Sequence, residues 1–282
     1  KIAIAAKHAP YDHAIKTYAL AEAYSLTNIS EVEVKMNECV KFMLSKQQKN
    51  GSYDYSYSTK NEKHDLSLSG WNFQAMKAAY AASCEVEGLQ EAIFKSIKWL
   101  RNMAASKKSF IYMSKQNNLP VGERRLSSMR AVGVLCLQMF DEGKCTEIKD
   151  EIRTIATQDI KDLDWNKKQD FAIYKWYYAT QAMFQHGGRY WKTWNKKFQS
   201  LLIRNQNKDG SWNYPNINGG VAAHLKGSNG EKIYATTLCS LMLTVYYRYL
   251  PSSKSSHGFA AKVSKKANEI EDEEEEILSL FE

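Results

Sequence analysis

The residues of this chain that we consider best suited to catalysis lie where helices are predicted to begin. Carboxylates and imidazoles supply general acids and bases, and we take Asp12, His64 and Asp65 as weak catalytic candidates. His64-Asp65 is also the pair most similar to a metal site, since Asp and His bind zinc. The simpler alternatives are that Asp65 caps a helix and that His64, like His13, is a satisfied structural histidine.

A second set of residues is suited to binding an apolar or amphiphilic small molecule. Pockets for such ligands have aromatic walls and a few polar groups at the rim. The predicted ligand-binding residues are His13, His64, Asp65, Trp71, Arg130, Tyr174, Trp176 and Tyr177. The alternative is that these aromatic side chains fill the interior as ordinary core.

The elements that must position these residues form a repeat. Five segments share a small-residue helix that ends on an aromatic residue, and these helices are apolar nearly all round, so both faces must be covered. Between them lie helices with one apolar stripe and a face rich in Lys, Glu and Asn. This alternation predicts an all-α fold of helical hairpins packed side by side. The closing aromatic residues are Tyr24, Tyr80, Phe140, Phe184 and Tyr246.

Two turns share the pattern Q-x-x-x-G-x-aromatic. They run from Gln47 through Gly51 to Tyr53 and from Gln206 through Gly210 to Trp212; a degenerate version lies at 109–112. Glycine permits the chain reversal, the aromatic ring packs the hairpin joint, and glutamine satisfies exposed backbone groups. We therefore predict that each such turn joins an outer helix to the next inner one.

This turn pattern resembles the repeat motif of squalene and oxidosqualene cyclases. The stretches 11–24, 65–71, 176–184 and 246–251 are similar to bacterial proteins described as prenyltransferase/squalene-oxidase-repeat proteins, so the resemblance spans roughly residues 10–251. It implies an α/α toroid, in which inner helices surround a central cavity and outer helices surround them, and we expect the ring to close. Toroids of this family serve as cyclases, prenyltransferase subunits, thioester domains and proteins of unassigned role.

The motifs for the activities of that family are incomplete here. Class II terpene cyclases use the acid motif D-x-D-D; the nearest string, Asp162-Leu-Asp164-Trp-Asn, lacks the final Asp and falls in a predicted linker. A prenyltransferase needs a zinc-ligand cysteine, and none accompanies His64-Asp65. The Gly-Cys-Gly-Glu-Gln string of thioester domains is absent. We expect no metal and no cofactor, and enzymatic activity stays open.

Composition sets the remaining expectations. The net charge of +8 divides into +12 for residues 1–251 and −4 for residues 252–282. We predict one toroid domain at 1–251, then a linker and acidic tail at 252–282 that is disordered or forms a short amphipathic helix. The body's lysines are scattered, which argues against nucleic-acid binding. No apolar run is long enough for a transmembrane helix, and five cysteines without a C-x-x-C pair argue against a disulfide scaffold.

Together these features predict a domain that binds a small amphiphilic molecule, or a protein partner, in or at the rim of the barrel. One alternative is an enzyme that acts on isoprenoid or terpenoid lipids by acid chemistry in the cavity. The other is a structural scaffold whose barrel is filled by its own side chains.

Overall fold

The computed structural model describes residues 9–60, 63–107, 109–113, 126–169, 171–215 and 229–246. Within these ranges the chain forms nine α-helices and two isolated β-bridges but no strand, so the all-α prediction is confirmed. The predicted tail at 252–282 lies outside the described residues. The helices are α1 (Ala9–Thr27), α2 (Ser30–Leu44), α3 (Leu66–Ala81), α4 (Leu89–Lys107), α5 (Leu126–Met139), α6 (Lys149–Thr157), α7 (Ala172–His186), α8 (Gly188–Arg204) and α9 (Asn229–Leu243).

The odd-numbered helices form an inner layer in which each helix contacts the next odd-numbered one. Helices α3 and α7 are buried on every side along most of their length, as their apolar and small residues require. Because an outer helix runs back between successive inner helices, the inner helices run in the same direction. The helices predicted from the five closing aromatic residues are these five, while closure of the layer into a ring stays a prediction.

The even-numbered helices form the outer layer and bury a single stripe each. In α2 the buried residues are Met36, Cys39, Val40 and Met43, which recur at the three- and four-residue spacing of one helix face. Helix α8 likewise buries one stripe and exposes its basic face. None of the described helices combines the length and apolar character needed to cross a bilayer.

The two Q-x-x-x-G-x-aromatic turns have the same internal hydrogen bonds. The Gln47 side-chain amide donates to the Gly51 carbonyl at 3.1 Å, and Gln206 donates to the Gly210 carbonyl at 2.8 Å. Both glycines have positive φ angles, +92° and +83°, which side chains rarely adopt. Gln47 makes two further bonds, to the Ala92 carbonyl and the Ser96 hydroxyl, which tie its turn to α4.

Each turn is also bonded to the inner helix that follows it. The Tyr53 amide donates to the Ser69 hydroxyl of α3 at 3.0 Å, and the Trp212 amide donates to the Thr236 hydroxyl of α9 at 3.1 Å. Both aromatic rings are buried. These two turns, the joints between hairpins, are therefore held against α3 and α9.

Candidate functional site

Side chains from the first turns of three inner helices come together around the Asp65 carboxyl. Asp65 is the N-cap of α3, Ser67 lies in the first turn of that helix, and Tyr11 and Tyr174 lie in the first turns of α1 and α7. Since the inner helices run in the same direction, these first turns meet at one end of the inner layer. Positive helix-dipole ends therefore face this group.

The Asp65 carboxyl is held by one of its two oxygens. Oδ1 accepts from the Leu68 amide at 2.9 Å, which caps α3, and from the Ser67 hydroxyl at 2.8 Å. The Tyr11 hydroxyl bonds to Ser67 and lies 3.5 Å from the same oxygen. Asp65 is only 2% exposed, so water does not reach Oδ2, and this oxygen has no hydrogen-bond partner by distance and angle in the described part of the chain. One carboxylate oxygen is thus satisfied and the other is not.

Two more tyrosines lie beside this carboxyl. Burial raises the pKa of Tyr55 and of Tyr112, and the charge of Asp65 is the next largest cause in both cases. The ring of Tyr55 meets that of Tyr11 edge-on, with centroids 5.8 Å apart. We call Asp65, Ser67, Tyr11, Tyr55, Tyr112 and Tyr174 the Asp65 site. Its tyrosines are half-buried, so the site reaches the surface.

The backbone around Asp65 explains its position. The Asp65 amide donates to the Tyr53 carbonyl at 3.0 Å, and the Leu66 amide donates to the Tyr112 carbonyl at 2.8 Å. The first joint and the segment before α5 therefore hold the start of α3 between them. The same bonds bring Tyr112 to the carboxyl.

Burial raises the pKa of Asp65, and the hydrogen bonds from Leu68, Ser67 and Tyr112 oppose this only in part. A raised pKa favours the protonated acid, whose O–H is a hydrogen-bond donor. The arrangement can therefore donate hydrogen bonds to an uncharged oxygen, or donate a proton.

Beyond the Asp65 site the inner layer is aromatic. The Trp71 ring stacks on that of Tyr177 with centroids 6.0 Å apart, and the Gln74 amide donates to the Tyr178 hydroxyl at 3.1 Å. These contacts join α3 directly to α7, although α5 lies between them in chain order. The predicted ligand-binding residues Trp71 and Tyr177 therefore face the interior, where they pack against each other.

Two other predicted ligand-binding residues contact α2 and the segment between α6 and α7. The Nε2 atom of His13 lies 2.9 Å from the Cys39 carbonyl of α2, and burial lowers the pKa of His13. The Trp176 indole donates to the Asp162 carbonyl at 3.1 Å, and its ring lies 5.7 Å from that of Trp165. Both side chains thus have protein partners on the side of their helix away from the interior.

The remaining candidates also lie apart from the Asp65 carboxyl. Arg130 is bonded to Asp159 at 2.9 and 3.1 Å and to Glu151, forming a mostly buried ionic triad. Asp12 is exposed in the first turn of α1. His64 is buried with its ring 5.2 Å from that of Trp99, and burial lowers the pKa of His64 to about 4. Of the three catalytic candidates, only Asp65 lies at the centre of a polar cluster.

Asp162, in the incomplete acid motif, forms ion pairs with Lys167 and Lys175. Burial acts to raise the pKa of Asp162, but hydrogen bonds and charges from Lys167 and Lys175 outweigh it, so the pKa lies below its usual value. A carboxylate held ionised in this way is unsuited to donate a proton. Among the described residues no group of three His, Cys, Asp or Glu side chains is placed to hold a metal ion.

The site residues predicted from the sequence did not include Tyr11, Tyr55, Ser67 or Tyr112. Tyr112 closes the degenerate repeat at 109–112, and that position was the available signal. Comparison of the chain with protein-family models, curated proteins and solved structures found no match.

Proposed function

We propose that this chain binds a small amphiphilic molecule whose uncharged, oxygen-bearing head lies at the Asp65 site. The observation that carries the proposal is the buried Asp65 Oδ2, which meets no donor at normal hydrogen-bond geometry among the described residues although the hydroxyl groups of three inner helices and of Tyr112 lie beside the carboxyl. A buried polar atom without a hydrogen bond costs about 1–3 kcal/mol. A ligand group that pairs with it recovers part of that free energy.

The charges at the site favour an alcohol, ketone or epoxide over a phosphate. The tyrosine hydroxyls can donate to an uncharged oxygen, whereas the negative charge of an ionised Asp65 repels an anionic head. The apolar part of the ligand then lies along the aromatic residues of α3, α7 and α9. The resemblance to squalene-cyclase-like toroids supports an isoprenoid as that part.

The test compares two substitutions of Asp65 that distinguish the helix-capping role of Oδ1 from the ligand-binding role proposed for Oδ2. Asp65→Ser keeps a good N-cap for α3 but removes Oδ2, whereas Asp65→Asn keeps a donor group at the position of Oδ2. With farnesol as the probe, we expect Asp65→Ser to weaken binding about tenfold, the scale of one hydrogen bond to a buried group. Asp65→Asn retains most of the affinity, and farnesyl diphosphate binds more weakly than farnesol.

The matched control is Asp164→Ser. The Asp164 carboxylate likewise accepts from a backbone amide, that of Asn166 two residues on, at 2.9 Å, in a turn that holds no residue of the site. This substitution should leave farnesol binding unchanged in titration calorimetry. If farnesol does not bind, or if the changes at positions 164 and 65 have equal effects, the proposal is wrong.

A second candidate function is proton transfer to an isoprenoid, and the raised pKa of Asp65 favours it. Asp65 would protonate an epoxide oxygen, breaking a C–O bond, or an alkene carbon, and the cation would be stabilised by aromatic ring faces in the inner layer. Loss of a proton from the cyclised cation would give the neutral product, and a proton from solvent would restore the Asp65 acid. Oxidosqualene incubated with the wild-type chain should yield cyclised product by gas chromatography and mass spectrometry. Asp65→Asn should bind the substrate but form no product, because an amide does not supply the proton.

A further inference from the structure

The outer helix α8 has a basic face that no acidic residue balances. Unlike α2, α4 and α6, this helix contains no Asp or Glu. Lys192 and Lys196 are exposed on the side opposite the buried Trp194 and Phe198, and neither has a hydrogen bond or ion pair among the described residues. We call the exposed side of α8 the α8 face. Its cations are Arg189, Lys192, Lys196, Lys197 and Arg204.

An apolar side chain lies on the same face. Ile203 is 62% exposed and follows Lys196 by two helical turns. A nucleic-acid backbone would pair with the cations but leave Ile203 in water. A helix that enters a bilayer surface needs a whole apolar side, and that of α8 is packed against the core. A polypeptide with an acidic run followed by apolar residues would contact both the cations and Ile203.

The chain itself contains such a polypeptide. Residues 269–278 read Glu-Ile-Glu-Asp-Glu-Glu-Glu-Glu-Ile-Leu, so seven carboxylates precede two adjacent apolar residues. This segment lies in the part of the chain with a net charge of −4, whereas residues 1–251 carry +12. The order of acidic and then apolar residues matches the order of Lys192, Lys196 and Ile203 along α8.

The last described residue places the following chain beside α8. The Tyr246 hydroxyl donates to the Asn195 Oδ1 of α8 at 2.6 Å, and its ring centroid lies 5.6 Å from that of Trp191. The 23 residues from Tyr246 to Glu269 reach at most about 80 Å, whereas α8 is about 26 Å long. Residues 269–278 can therefore reach the α8 face, and their attachment to the same chain keeps them at a local concentration on the order of 1 mM.

We infer that the α8 face binds residues 269–278 of the same chain. Carboxylates of the acidic run pair with Lys192 and Lys196, and the apolar pair Ile277 and Leu278 covers Ile203. Exposed ion pairs are individually weak and are screened by salt, so the interaction depends on several charges and on attachment to the same chain. It involves no residue of the Asp65 site and does not depend on the function proposed above.

The test uses the whole chain and a fluorescent peptide of residues 267–282 as the probe. A neutralised chain carries Asp272→Asn and Glu→Gln at positions 271 and 273–276. If the attached segment covers the α8 face about nine-tenths of the time, the neutralised chain should bind the peptide about tenfold more tightly than the wild type in fluorescence anisotropy. Adding Lys192→Glu and Lys196→Glu to the neutralised chain should weaken this binding about tenfold or more, because two attractive charges become repulsive.

The control adds Lys16→Glu and Lys41→Glu to the neutralised chain instead. These exposed residues of α1 and α2 give the same change in net charge, and this variant should keep most of the affinity. The inference is overturned if the wild-type and neutralised chains bind the peptide equally, if neither binds it, or if the control weakens binding as much as the changes in α8. It is also overturned if phosphatidylserine vesicles bind both chains equally through Lys192 and Lys196, because the face is then open to a membrane in the wild type.

Discussion

Replacement of Gly51 by alanine should destabilise the chain far more than replacement of Gly210, although both glycines occupy the same position in the same turn. Both have φ angles near +90°, and an alanine there costs about 1–2 kcal/mol. A Cβ atom at Gly51 would in addition overlap the Lys95 carbonyl of α4 and lie 2.9 Å from the Ser96 nitrogen. At Gly210 the nearest atom is the Gln206 side-chain nitrogen, at 4.0 Å.

The difference between the two variants can be worked out from these contacts. Because the atoms near Gly51 belong to helix backbone, they cannot rotate away, and the two hairpins must separate. Overpacking of this kind costs about 1–3 kcal/mol. We therefore expect a loss of about 2–5 kcal/mol in the free energy of unfolding for Gly51→Ala and about 1–2 kcal/mol for Gly210→Ala.

Urea denaturation followed by tryptophan fluorescence measures both losses. Gly88→Ala is the control for the backbone angle alone, because Gly88 has a φ of +81° and open space around it. It should resemble Gly210→Ala. Equal losses at positions 51, 88 and 210 would refute the close approach of the first joint to α4.

Two further predictions concern buried charges. Arg130→Met leaves the Glu151 and Asp159 carboxylates buried without their cation, so the free energy of unfolding should fall by about 3–5 kcal/mol in urea denaturation; a loss below about 1 kcal/mol would contradict the triad. The folded-state pKa of His64, about 4, lies below its ordinary value of 6.5, so the unfolded chain takes up the proton first and stability is lost as the pH falls from about 6.5 towards 4. Between pH 7 and pH 4.5 the free energy of unfolding of His64→Phe should therefore fall by about 2 kcal/mol less than that of the wild type. The control His186→Phe, at a more exposed position, should follow the wild type. If the free energy of unfolding falls equally with pH in all three chains, His64 is not buried in its neutral form.

The layered helices were predictable because their patterns are periodic. In α2 the spacing of Met36, Val40 and Met43 already defines the buried face, since the opposite positions are polar. Asp65 was also predictable as a helix cap, from its position just before an apolar run. These features depend on local sequence alone.

The composition of the site was not predictable in the same way. Helix α7 is apolar on every side, so no stripe tells which of Trp176 and Tyr177 faces the interior, although the two lie about 100° apart around the helix. Tyr112 reaches the Asp65 carboxyl only because its backbone bonds to the start of α3. Such contacts join segments far apart in the chain, and residue spacing does not encode them.

The hydroxyl groups of Ser69 and Thr236 give the joints a wider consequence. In these two joints the amide of the turn's aromatic residue donates to a hydroxyl group of the inner helix that follows, across 16 and 24 residues of chain. A gene duplication that copied such a turn together with its following helix would therefore copy the bond that holds them. Other residues of the inner helix are then free to diverge, because this bond does not involve their side chains.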